Sequence, residues 1–445
     1  MPNGKTAELT RKLHDQRMEK LKSIPNLHIE EYWECEVKEV LEINKEMKRM
    51  FDSYRITVPA LHIRDGFCGG RTAPARIHFK AENGWKIKYR DYTSLYPWTQ
   101  TTCYPIKHPE KMIIVPKAER DVDWRKPEDI PWKGFVKVLV YCPREVNPPV
   151  TVLPLKMDGR LLFPTCALCA AKYPMGGKID KYSCPHTNEE RAFVWTGTTI
   201  ELEQALKEGY RVCKVFSALH FKDWSDKLFK GYVADAMRIK THASGFEPGM
   251  TEEEQDLYIK ECEEMFGYKI DKNKMIKNNS MRSVAKLLAN SHWGKMAQNS
   301  DLDKTEITDS PATLRQFLDS PKYEVNSLIS LSDEVIMINY STKKDFITPN
   351  KTNNIGAAAW TTSRARLRLF EALKAVAIRE KCESPTAALL YYDTEVVYSV
   401  ISARDFSGLT PPPVFSSLGL TMRGRSTPHT PPILLKKRSN NLPIG

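Results

Sequence analysis

The chain has 445 residues with a formal net charge of +12, 41% hydrophobic and 27% charged residues. It is too long for one core, so two or more lobes are expected, and the basic balance suits a polyanionic partner, nucleic acid before others. The N-terminus has no apolar stretch of a secretory signal and no run approaches the roughly 18–20 residues of a membrane span, so neither secretion nor a membrane partner is expected. Ten cysteines without a secretion signal favour a reducing compartment, and metal binding over disulfides where they cluster.

In chain order, "TAELTRKLHDQRMEKLK" and "CEVKEVLEINKEMKRMF" read as charged helices, the second with apolar Val37, Val40, Leu41, Ile43 and Met47. "GFCGGRT" (66–72) is a glycine turn between extended segments. "RIHFK", "GWKIKYRDYTSLYP" and a Pro-dotted stretch to about 155 suggest strands and ordered loops. Helical periodicity returns over 225–240 and over 279–298, the latter with Asn279 or Ser280 as N-cap. "EVIMINYS" (334–341) reads as a strand and 362–381 as a long helix. From about 403 the chain turns Pro/Ser/Thr-rich without period and is expected to be largely disordered.

Three stretches carry chemistry. In "KYRDYTSLYP", alternation along a strand puts the Asp91 carboxylate at its end, and Ser94, Leu95 and Tyr96 offer backbone N–H groups at a nascent helix start, a phosphate cradle. In "RSVAKLLANSHWGK", Arg282, Lys286 and Asn290 share one helix face, while Val284 and Leu288 point toward packing. Such a cationic stripe meets a triphosphate, although a Lys/Arg stripe alone is usually a solvated face. In "YYDTEVVYSV", Asp393-Thr394-Glu395 sits near the turn of a hairpin, where by itself it would be a surface turn. Together the three supply carboxylates for hard cations and cations for phosphates. A fourth cluster, Cys166, Cys169, Cys184 and His186, has Cys-x₂-Cys…Cys-x-His spacing that suits a tetrahedral structural Zn²⁺, against the alternative of free thiols and a surface imidazole in a loop.

"DYTSLYP", "KLLANSHWGK" and "YYDTE", in that order, resemble motifs A, B and C of family B DNA polymerases. The long gaps between them resemble the protein-primed subgroup with its two insertions. "WECE", "GGRT", "LLFPTCALC" and "NSHWGK" resemble polymerases of Polinton (Maverick) self-synthesising transposons, and the resemblance covers roughly residues 25–400. It implies an α/β fold, a palm on a small antiparallel sheet with helical fingers, the exonuclease domain and thumb being largely missing. The implied division is an exonuclease-side helical remnant over 1–65, a first palm segment over 66–104, a first insertion over 105–225, fingers over 226–298, a second insertion over 299–350, palm over 351–402 and a tail over 403–445. The insertions are expected at the periphery.

The implied activity is DNA-directed DNA synthesis from dNTPs on template-primer DNA, with a terminal protein as the first primer. Two Mg²⁺ (or Mn²⁺) ions would be held by Asp91, Asp393, Glu395 and the Tyr92 carbonyl. Tyr96 would be the steric gate against ribose; Lys286 and Arg282, with Lys274, would hold the triphosphate and Asn290 would position the nucleotide. Phe67, Gly69, Gly70, Arg71, Ser291, Gly294 and Thr394 would lie along the DNA. Trp293 stands where the family more often has Tyr, and Glu395-Val396 where it has Asp-Ser. No Lys-x-Tyr thumb motif follows residue 400, so a frame change or truncated copy is expected after motif C. A catalytically dead DNA-binding remnant is the alternative reading, and a zinc-containing nucleic-acid-binding module a third. The transposon resemblance implies a nuclear address, with mitochondrial linear plasmids the other source of such enzymes.

Overall fold

The structure, a computed structural model, describes residues 6–24, 29–53, 60–76, 78–80, 85–92, 94–146, 148–172, 184–299, 302–343, 346–347, 352–379, 389–394, 396–402 and 422–425. It is of the expected α/β class and divides into two compact units. No helix among the described residues is long and apolar enough to cross a membrane.

The first unit comprises Met1–Pro59 and Gln298–Asn353. Its N-terminal part is α1 (Ala7–Lys22), α2 (Glu34–Ile43) and α3 (Lys45–Ser53). The Thr6 hydroxyl caps α1 by accepting from the Leu9 N–H at 3.2 Å, and Lys20 and Lys22 complement the dipole at its last turn. The periodic residues Val40, Ile43 and Met47 are exposed. The later segment, where a second insertion is expected, is an antiparallel sheet of β12 (Lys304–Thr308), β14 (Ile336–Thr342) and β13 (Tyr323–Ser330) in that order, with α11 (Pro311–Asp319) beside it. Phe317 packs on Tyr340 and Tyr323 at centroid distances of 4.3 and 5.1 Å, and Ile338 is fully buried. The strand expected over 334–341 is thus present as β14.

The second unit, Ala60–Ala297 with Asn354–Gly445, holds two five-stranded antiparallel sheets. One is ordered β1 (Thr72–Pro74), β15 (Leu389–Asp393), β16 (Val396–Ser402), β2 (Trp85–Tyr92), β17 (Met422–Arg425). The tail therefore contributes β17, an edge strand, where the Pro-rich composition suggested no structure; its other residues lie outside those described. The second sheet is ordered β4 (Lys111–Ile114), β10 (Arg211–His220), β6 (Gly134–Tyr141), β9 (Phe193–Thr198), with β5 (Asp121–Trp124) also on β10. Two-stranded pairs are formed by β3 (Tyr104–Pro105) with β11 (Trp224–Ser225) and by β7 (Leu155–Met157) with β8 (Arg160–Leu162).

Helix α12 (Ile355–Arg379) joins the two large sheets. One continuous core runs from Tyr92, Leu389 and Val397 through Leu369 and Leu373 of α12 to Val136, Val138, Val140 and Trp195. The stretch expected as a first insertion is therefore not peripheral: β6 is buried on both faces along most of its length, as a central strand covered on both sides must be. α12 starts earlier than the 362 expected, because Asn354 caps it, its side-chain oxygen accepting from the Ala357 N–H at 2.9 Å. The remaining helices are α4 (Leu95–Gln100), α5 (Ala167–Lys172), α6 (Asn188–Arg191), α7 (Thr199–Lys207), α8 (Lys230–Ser244), α9 (Glu252–Phe266) and α10 (Asn279–Ala297). α8 and α10 pack through Val233, Ala236, Met237 and Ala289.

Candidate active site

β2 ends at Tyr92, so Asp91 sits where the strand gives way to α4. Asp393 pairs with Val396, and Val396 with Asp91, so the two carboxylates flank one residue in a single row across β15, β16 and β2. Directly opposite residues project to the same face, and two strand spacings put their Cα atoms roughly 10 Å apart. Carboxylates at that separation can reach inward to a shared pair of cations ~3.5–4 Å apart. One carboxylate oxygen of Asp91 is buried without a hydrogen-bond partner. Its burial raises its pKa above the ordinary 3.8, an effect opposed by the charges of Lys286 and Lys240 and by a bond from Tyr89. An unsatisfied acidic oxygen in the same row as a second carboxylate is a donor set that a hard divalent cation can take.

Asp393 is held by its neighbours: it accepts from the hydroxyls of Thr72 (2.8 Å), Thr394 (3.1 Å) and Tyr391 (3.2 Å). Thr394 turns the hairpin in the left-handed region, φ 50°, and its N–H donates to the Arg71 carbonyl at 2.9 Å. Gly70 lies against this turn so closely that a Cβ there would meet the Thr394 hydroxyl oxygen at 2.5 Å. Glu395 lies outside the described residues. The Tyr92 ring is committed to the core, 2% exposed, which leaves its main-chain carbonyl as the group it can offer.

Ser94, also left-handed at φ 59°, stands at the N-cap position of α4, but its hydroxyl, instead of capping the helix, accepts from the Lys240 ammonium. α4 is only six residues long; Leu95 is fully buried, and Pro97 sits in the first turn where its missing N–H is not needed. The Tyr96 ring stacks on Trp293 at 4.6 Å and 12°. Opposite, α10 is capped one residue earlier than expected, by Asn278, whose side-chain oxygen accepts from the Met281 N–H at 3.0 Å. Arg282, Lys286 and Asn290 do share a face, and it lines a cleft of about 350 Å³ together with Asp91, Ser94, Lys240 and Lys277. Arg282 Nε also donates to the Ser244 hydroxyl at 3.2 Å. The far wall is Tyr258, Cys262 and Phe266 of α9. Four cations against Asp91 and Glu247 make this cleft suited to a polyphosphate.

Several expectations are corrected. Val284 and Leu288 do not pack but are exposed by 52% and 43%, because α10 buries small residues, Ala285 and Ala289, instead. Lys274 is not among the cleft's lining residues: the 3₁₀ turn at 272–274 points it to solvent, where it pairs with Asp271 at 3.3 Å. Arg71, expected on DNA, is 6% exposed; its guanidinium donates to Thr151 and lies 4.2 Å over the Phe163 ring. Phe67 and Trp293 pack against a second core around Trp360, while Ser291 is exposed and Gly294 has open space around its α-carbon.

Lys240 and Lys277 were not legible as cleft residues in sequence, nor was the clamp that holds the glycine turn. Arg366, 3% exposed, makes a two-pronged bond to Glu201, 1% exposed, with Nε–Oε1 2.8 Å and Nη2–Oε2 2.9 Å. Its Nη1 donates to the carbonyls of Cys68 (2.5 Å) and Gly69 (2.9 Å). The fourth sequence cluster is also assembled: ligand atoms of Cys166, Cys169, Cys184 and His186 all lie within 4.8 Å of one another.

Residues 43–251 match the family "DNA polymerase type B, organellar and viral". That stretch contains the glycine turn, Asp91, Ser94 and the Cys/His cluster, and stops short of α10 and the Asp393 hairpin. No curated protein matches the chain. Among solved structures, Phi29 DNA polymerase complexed with primer-template DNA and incoming nucleotide is 16% identical with a TM-score of 0.43, over 84% of this chain and 49% of that one. The same polymerase complexed with single-stranded DNA gives 15% and 0.42 over 86% and 48%, and its orthorhombic crystal form 15% and 0.45 over 85% and 48%. The chain thus spans about half the length of these solved chains.

Proposed function

We propose that this chain is the nucleotidyl-transfer part of a DNA-directed DNA polymerase of the protein-primed family B kind. The observation that carries the reading is the row Asp393–Val396–Asp91 set beside a cleft whose walls bring Lys286, Arg282, Lys240 and Lys277 together. Asp91 and Asp393, with the Tyr92 carbonyl, would hold two divalent cations, Mg²⁺ or Mn²⁺. When bound, the pair activates a primer 3′-hydroxyl and neutralises a leaving pyrophosphate. The four cationic side chains orient the triphosphate, and Asn290 faces the same cleft. Tyr96, backed by Trp293, closes the space a ribose 2′-hydroxyl would need. On the transposon resemblance, the first primer hydroxyl belongs to a terminal protein and the chain works in the nucleus.

Glu395 is one methylene longer than the aspartate the family carries there, and a displacement of about 1 Å can cost on the order of a hundredfold in rate. This favours a second reading, DNA binding without synthesis. Primer extension by purified chain with Mg²⁺ or Mn²⁺, beside Glu395→Asp, Asp91→Asn and Asp393→Asn, separates the two. Under the first reading the wild type extends, the Asn variants do not, and all bind primer-template equally. Binding without extension in every version supports the second.

A further inference from the structure

We propose that Cys166, Cys169, Cys184 and His186 bind one Zn²⁺ in a closed tetrahedral site that fixes the first insertion against the glycine turn. This does not rest on the polymerase reading. With Zn–S ≈ 2.3 Å and Zn–N ≈ 2.0–2.1 Å, a tetrahedron has S···S edges of about 3.8 Å and S···N edges of about 3.6 Å. Here the Cys169 and Cys184 sulfurs are 3.4 Å apart, and His186 Nδ1 lies 3.4, 3.2 and 3.6 Å from the sulfurs of Cys166, Cys169 and Cys184. Four of the six edges are thus within about 0.4 Å of such a tetrahedron's, and all four atoms lie within 4.8 Å of one another. Three thiolates and an imidazole are a soft set that selects zinc over magnesium or calcium.

Local structure explains how they meet. Cys166 directly precedes α5 and Cys169 lies in its first turn, where the Cys169 N–H points at the Cys166 sulfur, 3.5 Å away. A main-chain donor to a sulfur is the support that a ligating thiolate uses. Cys184 and His186 lie in the irregular segment that leads into α6, and both bring their ligand atoms to the cluster. Both chains entering the cluster are fixed by polar bonds. Before it, the Phe163 carbonyl accepts from the Thr151 hydroxyl at 2.7 Å. After it, Thr187 and Glu190 form a capping box on α6, and buried Arg191 donates to the Cys142 carbonyl at 2.9 Å.

The site's structural reach follows from the same contacts. Thr151 and Phe163 are what hold the Arg71 guanidinium, and the Arg71 carbonyl accepts from the N–H of Thr394 beside Asp393. A metal that ties residues 166–169 to 184–186 therefore positions the Asp393 hairpin through Phe163, Thr151 and Arg71.

The test is metal content of the purified full chain, isolated without chelators. The expected result is one zinc per chain that survives gel filtration and is released by an organomercurial thiol reagent. Reloading with Co²⁺ should give the intense visible bands of tetrahedral cobalt and a thiolate charge-transfer band. Cys169→Ser and Cys184→Ser should each lose the metal, while Cys213→Ser, outside the cluster, should keep it. The wild-type cobalt spectrum guards against variants that simply fail to fold. Metal-free, freely titrating thiols in the wild type, a Cys169–Cys184 disulfide, or a weak octahedral cobalt spectrum would each overturn the proposal.

Discussion

Replacing Arg366 with Met should be among the most damaging changes available in this chain. The guanidinium is 3% exposed and makes two bonds to the Glu201 carboxylate, two to the carbonyls of Cys68 and Gly69, and one at 3.0 Å to the Ser363 hydroxyl. Met fills much of the volume but strands the carboxylate. Glu201 would then keep only Ser363 at 2.7 Å and Thr198 at 3.4 Å. Removing one partner of a buried pair costs about 3–5 kcal/mol, mainly because the other charge remains. For a unit this large, at about 2.1 cal/mol/K of unfolding entropy per residue, that is a melting-temperature fall of roughly 4–7 °C. Adding Glu201→Leu removes the stranded charge, so the double variant should recover roughly half or more of the loss, the remainder reflecting the two unpaired carbonyls. Thermal and urea melts read by tryptophan fluorescence suit the question, because Trp195 and Trp360 are buried in this unit. If the single variant costs less than about 1 kcal/mol, or the double costs the sum of the singles, the clamp does not work as described.

Other outcomes follow from the site. Asp91 is held above its ordinary pKa by burial, so the folded state favours its protonated form and stability falls as pH rises through and beyond the ordinary ~3.9. Asp91→Asn should therefore melt higher than wild type at pH 7, with the gap closing toward pH 4, and Mg²⁺ should stabilise the wild type alone; equal melting at pH 7 refutes this. Gly70→Ala should cost about 1–3 kcal/mol through its clash with Thr394, and Thr394→Gly in the same chain should relieve it. No rescue in urea melts would mean the turn is not the obstacle. Trp293→Ala should remove about 0.5–1.5 kcal/mol of stacking from Tyr96 and loosen discrimination against ribonucleotides by up to about tenfold. Unchanged discrimination in Trp293→Ala, where Tyr96→Val loses it, would separate the two rings' roles.

Much of the site was legible because local pattern dictated it. The alternation through Asp91 and the β-forming runs around Asp393 fixed two strands, and the four-residue spacing of Arg282, Lys286 and Asn290 fixed a shared face. What failed was decided by packing across the chain. Val284 and Leu288 look like core by hydropathy, yet α10 buries Ala285, Ala289 and Met296 instead. Arg71 looks like a DNA contact by charge, yet the Phe163 ring and Thr151, some eighty or more residues on, enclose it. Nothing local could pair Arg366 with Glu201, because such pairing is a property of the α7–α12 contact. The N-cap erred by one residue because Asn278, Asn279 and Ser280 all suit the position, and only the Met281 N–H chooses among them.

The strand order of the Asp91 sheet also has a kinetic consequence. β2 is made early, yet its neighbour β16 and the next strand β15 follow only after nearly three hundred further residues. During synthesis the edges of β2 therefore wait while nearly all the intervening chain emerges. Loop closure over such a distance is slow, and an unpaired β-edge is an aggregation template in the meantime. The carboxylate pair thus assembles late on the ribosome, only once β15 and β16 have emerged. Chains interrupted before residue 389 should depend on chaperones in proportion to how long that edge stays bare.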